Sequence, residues 1–250
     1  MTDEDAGRAG RVALVTGGSR GIGLACARRL QADGYRVAVT WRTKVPEPLE
    51  GAPGTAPLVA VSCDVTDPAQ LSAAFDEVEE RLGPVEVLVC AAGITRDALL
   101  LRMSEDDWGS VISTNLTSVY RTCKRAAARM VRSRFGRIVL VSSVVGLLGS
   151  PGQTNYGSSK AALVGFARSL ARELAARNVT VNVVAPGVVS TDMIAALGEE
   201  RVAALVSKVP LGRAAAPEEV AGAVAFLVAD EAAYITGALL PVDGGLGMGH

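Results

Sequence analysis

Residues 155–160 read NYGSSK, which places Tyr156 and Lys160 four positions apart. On a helix that spacing puts both side chains on one face. A free tyrosine titrates near pH ~10, too high to trade protons readily at neutral pH. An ammonium group beside the phenol favours the phenolate, so Lys160 is expected to lower the Tyr156 pKa and make it a usable acid. Histidine offers no alternative in the body of the chain, because the single histidine is its last residue, His250. Ser143 stands 13 positions before Tyr156, at the end of an apolar run, where its hydroxyl could bond the same oxygen that Tyr156 protonates. Asn115 falls within a helical stretch, a mildly unfavourable place for asparagine. Taken singly, the four read as a surface helix pair, a strand-end hydroxyl and a packing amide. Asn155 has no expected role beyond starting its helix.

These groups need a scaffold, and the chain alternates apolar runs with amphipathic ones. Strands are expected at 11–16, 36–41, 58–63, 85–91, 137–143, 180–185 and 237–243. Helices are expected from Gly21 to about Asp33, from Asp67-Pro68 to Gly83, from Ser104 with Asp107 to about Met130, from Asn155 to Arg177, and from Pro217 onward. Residues 52–57 read as a turn-rich loop and 191–212 as a looser segment. Continuous apolar strands separated by helices imply an α/β fold: one parallel sheet covered on both faces. Residues 1–10 read as a loose arm and 11–250 as a single domain.

"TGGSRGIG" (16–23) follows the first strand and opens the first helix. Glycines there permit a tight turn and close approach of a pyrophosphate to the helix N-terminus. Gly17, Gly21 and Gly23 are spaced GxxxGxG rather than GxGxxG, a distinct dinucleotide loop. No acid occurs from Tyr35 to Pro46, while Arg42 ends the second strand and Arg20 lies in the loop. Arginine suits a ribose phosphate, so the expected cofactor is NADPH; two solvated surface arginines are the alternative.

The chain has 250 residues with 26 acids, 25 Lys+Arg and a net charge of -1, so no global basic field suggests nucleic acid. No apolar run reaches membrane-spanning length, and the acidic start lacks the features of a signal peptide. Together these suggest a cytoplasmic protein. Cys26, Cys63, Cys90 and Cys123 have neither CxxC spacing nor a histidine partner, so they read as reduced core residues and no metal site is expected.

The glycine loop, Asp64, Asn115, Ser143, "YGSSK" (156–160) and "PGVVSTDM" (186–193) occur in that order. As a set they resemble the short-chain dehydrogenase/reductase family over residues 11–245. "AAGITRD" (91–97) and "AYITGALLPVDGG" (233–245) look most like its bacterial 3-oxoacyl-carrier reductases. The resemblance implies a Rossmann-type, doubly wound, mostly parallel seven-stranded sheet. It implies reduction of 3-oxoacyl-(acyl-carrier-protein) to the (R)-3-hydroxyacyl product in fatty-acid biosynthesis. Reduction of acetoacetyl-CoA, a polyketide or another small ketone is the nearer alternative, and an idle NADP-binding sensor the distant one. Catalysis falls to Asn115, Ser143, Tyr156 and Lys160, with Lys160 also on the nicotinamide ribose and Asn115 supporting a water chain to it. Cofactor contacts fall to Gly17, Ser19, Arg20, Gly21, Ile22, Gly23, Arg42, Asp64, Val65, Ala92, Gly93, Val189 and Thr191, besides Tyr156 and Lys160. Residues 191–212 become a substrate lid, Arg134 and Arg177 the docking arginines for an acidic acyl carrier protein, and the assembly a homotetramer. One departure stands out. "CAAG" replaces the family's NNAG, so Cys90 and Ala91 stand where two asparagines are usual, which puts a side-chain brace of the sheet in doubt.

Overall fold

The computed structural model describes residues 10–46, 50, 55–196 and 198–248. Residues 1–9 of the arm expected at 1–10, and residues 52–54 of the 52–57 loop, lie outside the described residues. The strands are β1 (Val12–Thr16), β2 (Arg36–Trp41), β3 (Val59–Ser62), β4 (Val85–Cys90), β5 (Gly136–Val141), β6 (Val179–Pro186) and β7 (Leu239–Val242). They form one sheet in the order β3-β2-β1-β4-β5-β6-β7, with every adjacent pair parallel. The seven-stranded Rossmann-type fold expected from the sequence is present.

Alternation along the strands divides the core between two faces. Ala13, Val15, Val37, Val39, Val87, Val89, Val139 and Val141 point one way, toward Leu30, Val220 and Val224. Val12, Leu14, Leu88, Ile138, Leu140 and Val181 point the other way, toward Phe75, Met130 and Leu163. The central strands β1, β4, β5 and β6 are therefore buried on both sides, which explains their largely apolar sequence, while β3 and β7 at the sheet edges are only partly buried.

Nine α-helices are seen among the described residues. They are α1 (Gly21–Ala32), α2 (Pro68–Leu82), α3 (Glu105–Ile112), α4 (Ser118–Ser133), α5 (Val145–Leu148), α6 (Thr154–Leu174), α7 (Asp192–Ala195), α8 (Glu199–Val206) and α9 (Pro217–Val228). The local start signals act as expected. The Asp67 carboxylate accepts from the N–H groups of Ala69 and Gln70, with Pro68 at the first helical position. Ser104 and Asp107 form a reciprocal capping box.

Three departures from expectation stand out. The long helix expected from Ser104 to Met130 is interrupted by a π-turn at Ser113–Thr117, which separates α3 from α4. The helix expected to reach Arg177 ends at Leu174, followed by a tighter 3₁₀ turn, Ala175–Arg177. β5 stops at Val141, so Ser143 lies two residues beyond the strand rather than on it. The 191–212 segment also contains two short helices, α7 and α8. No helix among the described residues is long and apolar enough to cross a membrane.

Candidate active site

β1 and β4 stay paired to their C-terminal ends, and the chain leaves them toward opposite faces of the sheet, at the point where the strand order reverses, the usual ligand crevice of an open α/β sheet. A cleft of about 440 Å³ opens there. Its walls include Ser143, Tyr156, Lys160 and every residue assigned from sequence to the cofactor, from Gly17 through Arg42, Asp64 and Gly93 to Thr191. Asn115 is not in the wall: it is wholly buried behind it.

At the glycine loop the backbone passes so close to its neighbours that side chains are excluded. A Cβ on Gly17 would lie 2.6 Å from the Ala92 Cα, and one on Gly23 would collide with the Gly17 carbonyl. Gly17 and Gly21 also have positive φ, at 67° and 52°. The cradle thus fits a dinucleotide phosphate on the α1 N-terminus. Arg20 and Arg42 are exposed at its rim and suit a further phosphate. Their partners were not foreseen: Arg20 lies 3.9 Å from Asp192, and Arg42 lies 3.5 Å from Asp64. The Asp64 carboxylate titrates below its usual range, chiefly because the Thr66 hydroxyl donates to it at 2.7 Å. Trp41, beside Arg42, keeps its indole N–H buried without an acceptor in the protein.

At the other end the π-turn aims the Asn115 amide at a strap after β4. Its Nδ2 donates to Ile94 O at 3.0 Å and to Ser159 Oγ at 3.1 Å, while its Oδ1 accepts from Ile94 N–H at 2.9 Å. Single-turn π insertions of this kind recur at functional sites. Gly93 has room for this contact because it lacks a side chain. The place its Cβ would occupy is 3.3 Å from Asn115 Oδ1 and 3.4 Å from Lys160 Nζ. Lys160 is buried and its ammonium donates to Val141 O at 2.8 Å. Ser142 Oγ donates to Lys160 O at 2.7 Å, locking the start of α6 against the end of β5.

The expected effect of Lys160 on Tyr156 is corrected by this geometry. Lys160 Nζ lies 5.7 Å from the centre of the Tyr156 ring and is turned toward a carbonyl. Burial pushes the Tyr156 phenol up; a Ser143 hydrogen bond pulls it down, and the Asp97 charge pushes it up again. Burial also depresses Lys160, from 10.5 to about 8. In the free chain the site therefore favours the phenol over the phenolate, because both groups share one poorly solvated pocket.

Asn155 had been assigned nothing beyond starting its helix. It is completely buried, and its Nδ2 donates to Arg96 O at 2.9 Å and Asp107 O at 3.3 Å. Its Oδ1 accepts from Tyr156 N–H at 2.7 Å. It therefore ties the strap and α3 to the residue that carries the phenol. Ser159, also overlooked, bridges Asn115 to the Tyr156 carbonyl through a 2.7 Å bond. An asparagine directly before the tyrosine was the available signal, but its partners are 48 and 59 positions away.

The 191–212 segment is anchored at its base. Val189 bridges Ala215: Ser190 N–H donates to Ala215 O, and Ala215 N–H donates to Val188 O, both at 2.9 Å. From this base, Met193, Ile194, Arg201 and Leu205 reach into the cleft wall. Where the two asparagines are replaced, Cys90 is buried against the Cys123 thiol, and Ala91 keeps only its backbone bond to Thr16 O. All four cysteines are buried and free. Arg134 and Arg177 are exposed neighbours, since Arg134 Nη2 donates to Ala176 O at 3.4 Å. They lie beside the start of β5 and β6, at the sheet edge opposite the cleft.

Sequence comparison agrees with this architecture. The family model described as enoyl-(acyl carrier protein) reductase matches residues 17–247. The chain is 51% identical over 240 residues to the 3-oxoacyl-(acyl-carrier-protein) reductase MabA of Mycobacterium bovis, covering 96% of this chain and 94% of that one. It is 46% identical over 244 residues to the 3-oxoacyl-(acyl-carrier-protein) reductase FabG of Escherichia coli, covering 96% and 98%. With a family model matching most of the chain and relatives 46–51% identical over nearly its full length, the chain belongs to the short-chain dehydrogenase/reductase family.

Proposed function

We propose that the chain reduces a 3-oxoacyl group carried on acyl carrier protein to the (R)-3-hydroxyacyl product, using NADPH. The observation that carries this reading is that Ser143, Tyr156 and Lys160 line one cleft, with Lys160 Nζ 5.7 Å from the centre of the Tyr156 ring. Two hydroxyls there can bind one carbonyl oxygen, and Tyr156 can give it a proton. A nicotinamide cofactor is the family's hydride source, and bound NADPH supplies that hydride. Gly17, Ser19, Gly21, Ile22 and Gly23 would hold its phosphates, and Arg20 and Arg42 the extra ribose phosphate. Asp64, Val65, Ala92 and Gly93 would flank the adenosine, with Val189 and Thr191 beside the nicotinamide. Lys160 would bind the ribose hydroxyls, and Asn115 would support its reprotonation across the gap left at Gly93. The relatives' names support the carrier-linked substrate.

The test is NADPH oxidation against carrier-linked, CoA-linked and cyclic ketones and an enoyl thioester, with NADH in parallel. Fastest turnover is expected for the carrier-linked ketone with NADPH. Turnover of the enoyl thioester alone would overturn the reading.

Arg134 and Arg177 sit at the wrong sheet edge to serve the cleft of their own chain. As docking residues they therefore require a neighbouring subunit, consistent with a homotetramer. Charge reversal at both should raise KM for the carrier-linked substrate severalfold and leave KM for a small CoA thioester unchanged. An unchanged carrier KM removes the patch from the proposal.

A further inference from the structure

Trp41 ends β2 and lines the cleft, yet no cofactor contact falls to it in the reading above. Its backbone is pinned on both sides. The Thr40 carbonyl accepts from Gly18 N–H of the glycine loop at 3.1 Å, and the Trp41 carbonyl accepts from Cys63 N–H at 2.8 Å. Alternation along β2 turns the Trp41 ring to the face that carries Val37 and Val39, the face covered by α1. Gly18 passes over Val39 so closely that a Cβ there would stand 2.6 Å from the Val39 Cβ. Trp41 is the next residue on that face, about 7 Å farther along the strand. It therefore stands just outside the glycine loop, beside Arg42 and on the side of the sheet where Arg20 precedes α1.

The indole N–H of Trp41 is shielded from water and has no acceptor in the protein. A buried donor in this state costs free energy, and folded chains keep few of them. Arg137 Nε and Thr180 Oγ1 share the condition, but they stand near the starts of β5 and β6 and outside the cleft wall. Tryptophan is a donor only, so the partner it lacks is an acceptor. The chain offers no carboxylate from Tyr35 to Pro46, and Asp64 is already taken up by Thr66 and Arg42.

We propose that Trp41 is a specificity-determining residue for the cofactor, with its indole N–H reserved for the phosphate on the adenosine ribose. This rests on the reading of the cofactor as NADPH. Arg20 and Arg42 bring charge to that phosphate, but both are exposed and held by ion pairs of 3.9 and 3.5 Å. Such contacts attract an anion without fixing its position. Trp41 instead stands on a strand paired through Ser62 of β3 and adds a donor of fixed place. The loose Arg42–Asp64 pair beside it can part to let the phosphate in. A hydrogen bond to an ionised phosphate oxygen is stronger than one to a neutral hydroxyl. The same donor therefore favours a ribose 2′-phosphate over a ribose 2′-hydroxyl.

The chain has two tryptophans, so NMR of isotope-labelled protein shows two indole N–H resonances. Trp41→Phe assigns one and Trp108→Phe the other, so the assignment stands even if one variant folds poorly. Adding 2′,5′-ADP, which carries the extra phosphate, is expected to move the Trp41 resonance downfield. 5′-AMP, which lacks that phosphate, should move it much less. Trp41→Phe keeps an aromatic ring and loses the donor. By calorimetry it should weaken 2′,5′-ADP binding roughly five- to tenfold and 5′-AMP binding by less than about twofold. A Trp41 resonance that stays in place under saturating 2′,5′-ADP overturns the inference. So does equal weakening of both nucleotides, which would mark a ring that only packs. Either result leaves the wild-type preference for 2′,5′-ADP intact. A wild-type protein that binds the two nucleotides equally defeats the NADPH reading itself, and the inference with it.

Discussion

At the Tyr156 end of the cleft the polar groups are buried and hydrogen-bonded, whereas at the glycine-loop end they are exposed and held by long ion pairs. Asn115, Asn155 and Ser159 are fully buried, and their bonds run from 2.7 to 3.3 Å. The Arg20–Asp192 pair is 3.9 Å long, with side chains 77% and 81% exposed. Buried partners cannot be exchanged for water without loss, so they hold a geometry to within tenths of an ångström. Exposed pairs are worth little and open easily, so a phosphate can take the place of a carboxylate on the same arginine. Rigidity is thus concentrated where a proton must move, and exchangeable contacts where a ligand must arrive.

Tests of this contrast can be ranked by expected effect. Tyr156→Phe removes the proton while leaving the ring, and should lower kcat by about 10²–10⁴-fold in an NADPH oxidation assay. A variant with full turnover would show that the rigid end is not the chemical end.

The second test uses pH. Lys160 normally titrates near 10.5 and is held to about 8 in the folded chain. Between these values the unfolded chain binds a proton that the folded chain does not. Stability of the ligand-free protein should therefore fall as pH drops from 10.5 to 8 and carry a constant penalty below that. The difference from Lys160→Met, measured by denaturant unfolding, should change by on the order of 3 kcal/mol across that window. A flat difference would mean the ammonium is better solvated than its burial implies.

Asn155→Ala leaves the Tyr156 N–H and two carbonyls without their partner. It should cost roughly 1–3 kcal/mol, or about 2–4 °C of Tm per kcal/mol for a chain of this size. The smallest effect is expected at the exposed rim. Arg42→Ala should raise KM for NADPH about tenfold, consistent with loss of a charge-assisted hydrogen bond, while Tm stays unchanged. A large fall in Tm would show that the Arg42–Asp64 pair is structural and would erase the contrast between the two ends.

Local signals in the sequence reached far. The glycine spacing, Asp67-Pro68, the Ser104–Asp107 box and the alternating strands each act within a few residues, and each is found where expected. The i,i+4 spacing of Tyr156 and Lys160 likewise survives in α6. What stayed illegible depends on contacts across long separations. The π-turn carries Asn115 to bonds with Ile94 and Ser159, 21 and 44 positions away, and the burial of Asn155 depends on a strap 59 positions earlier.

The sequence by itself determined the order of the elements, the phosphate cradle and the set of groups able to move a proton, because those follow from backbone periodicity and side-chain chemistry. Only the tertiary structure decided how these groups titrate and which of them are fixed. Burial raised the Tyr156 pKa that Lys160 was expected to lower, Lys160 is bound to a carbonyl, and Arg134 and Arg177 lie at the edge opposite the cleft. Solvation and long-range hydrogen bonding arise only once the chain has closed around the site.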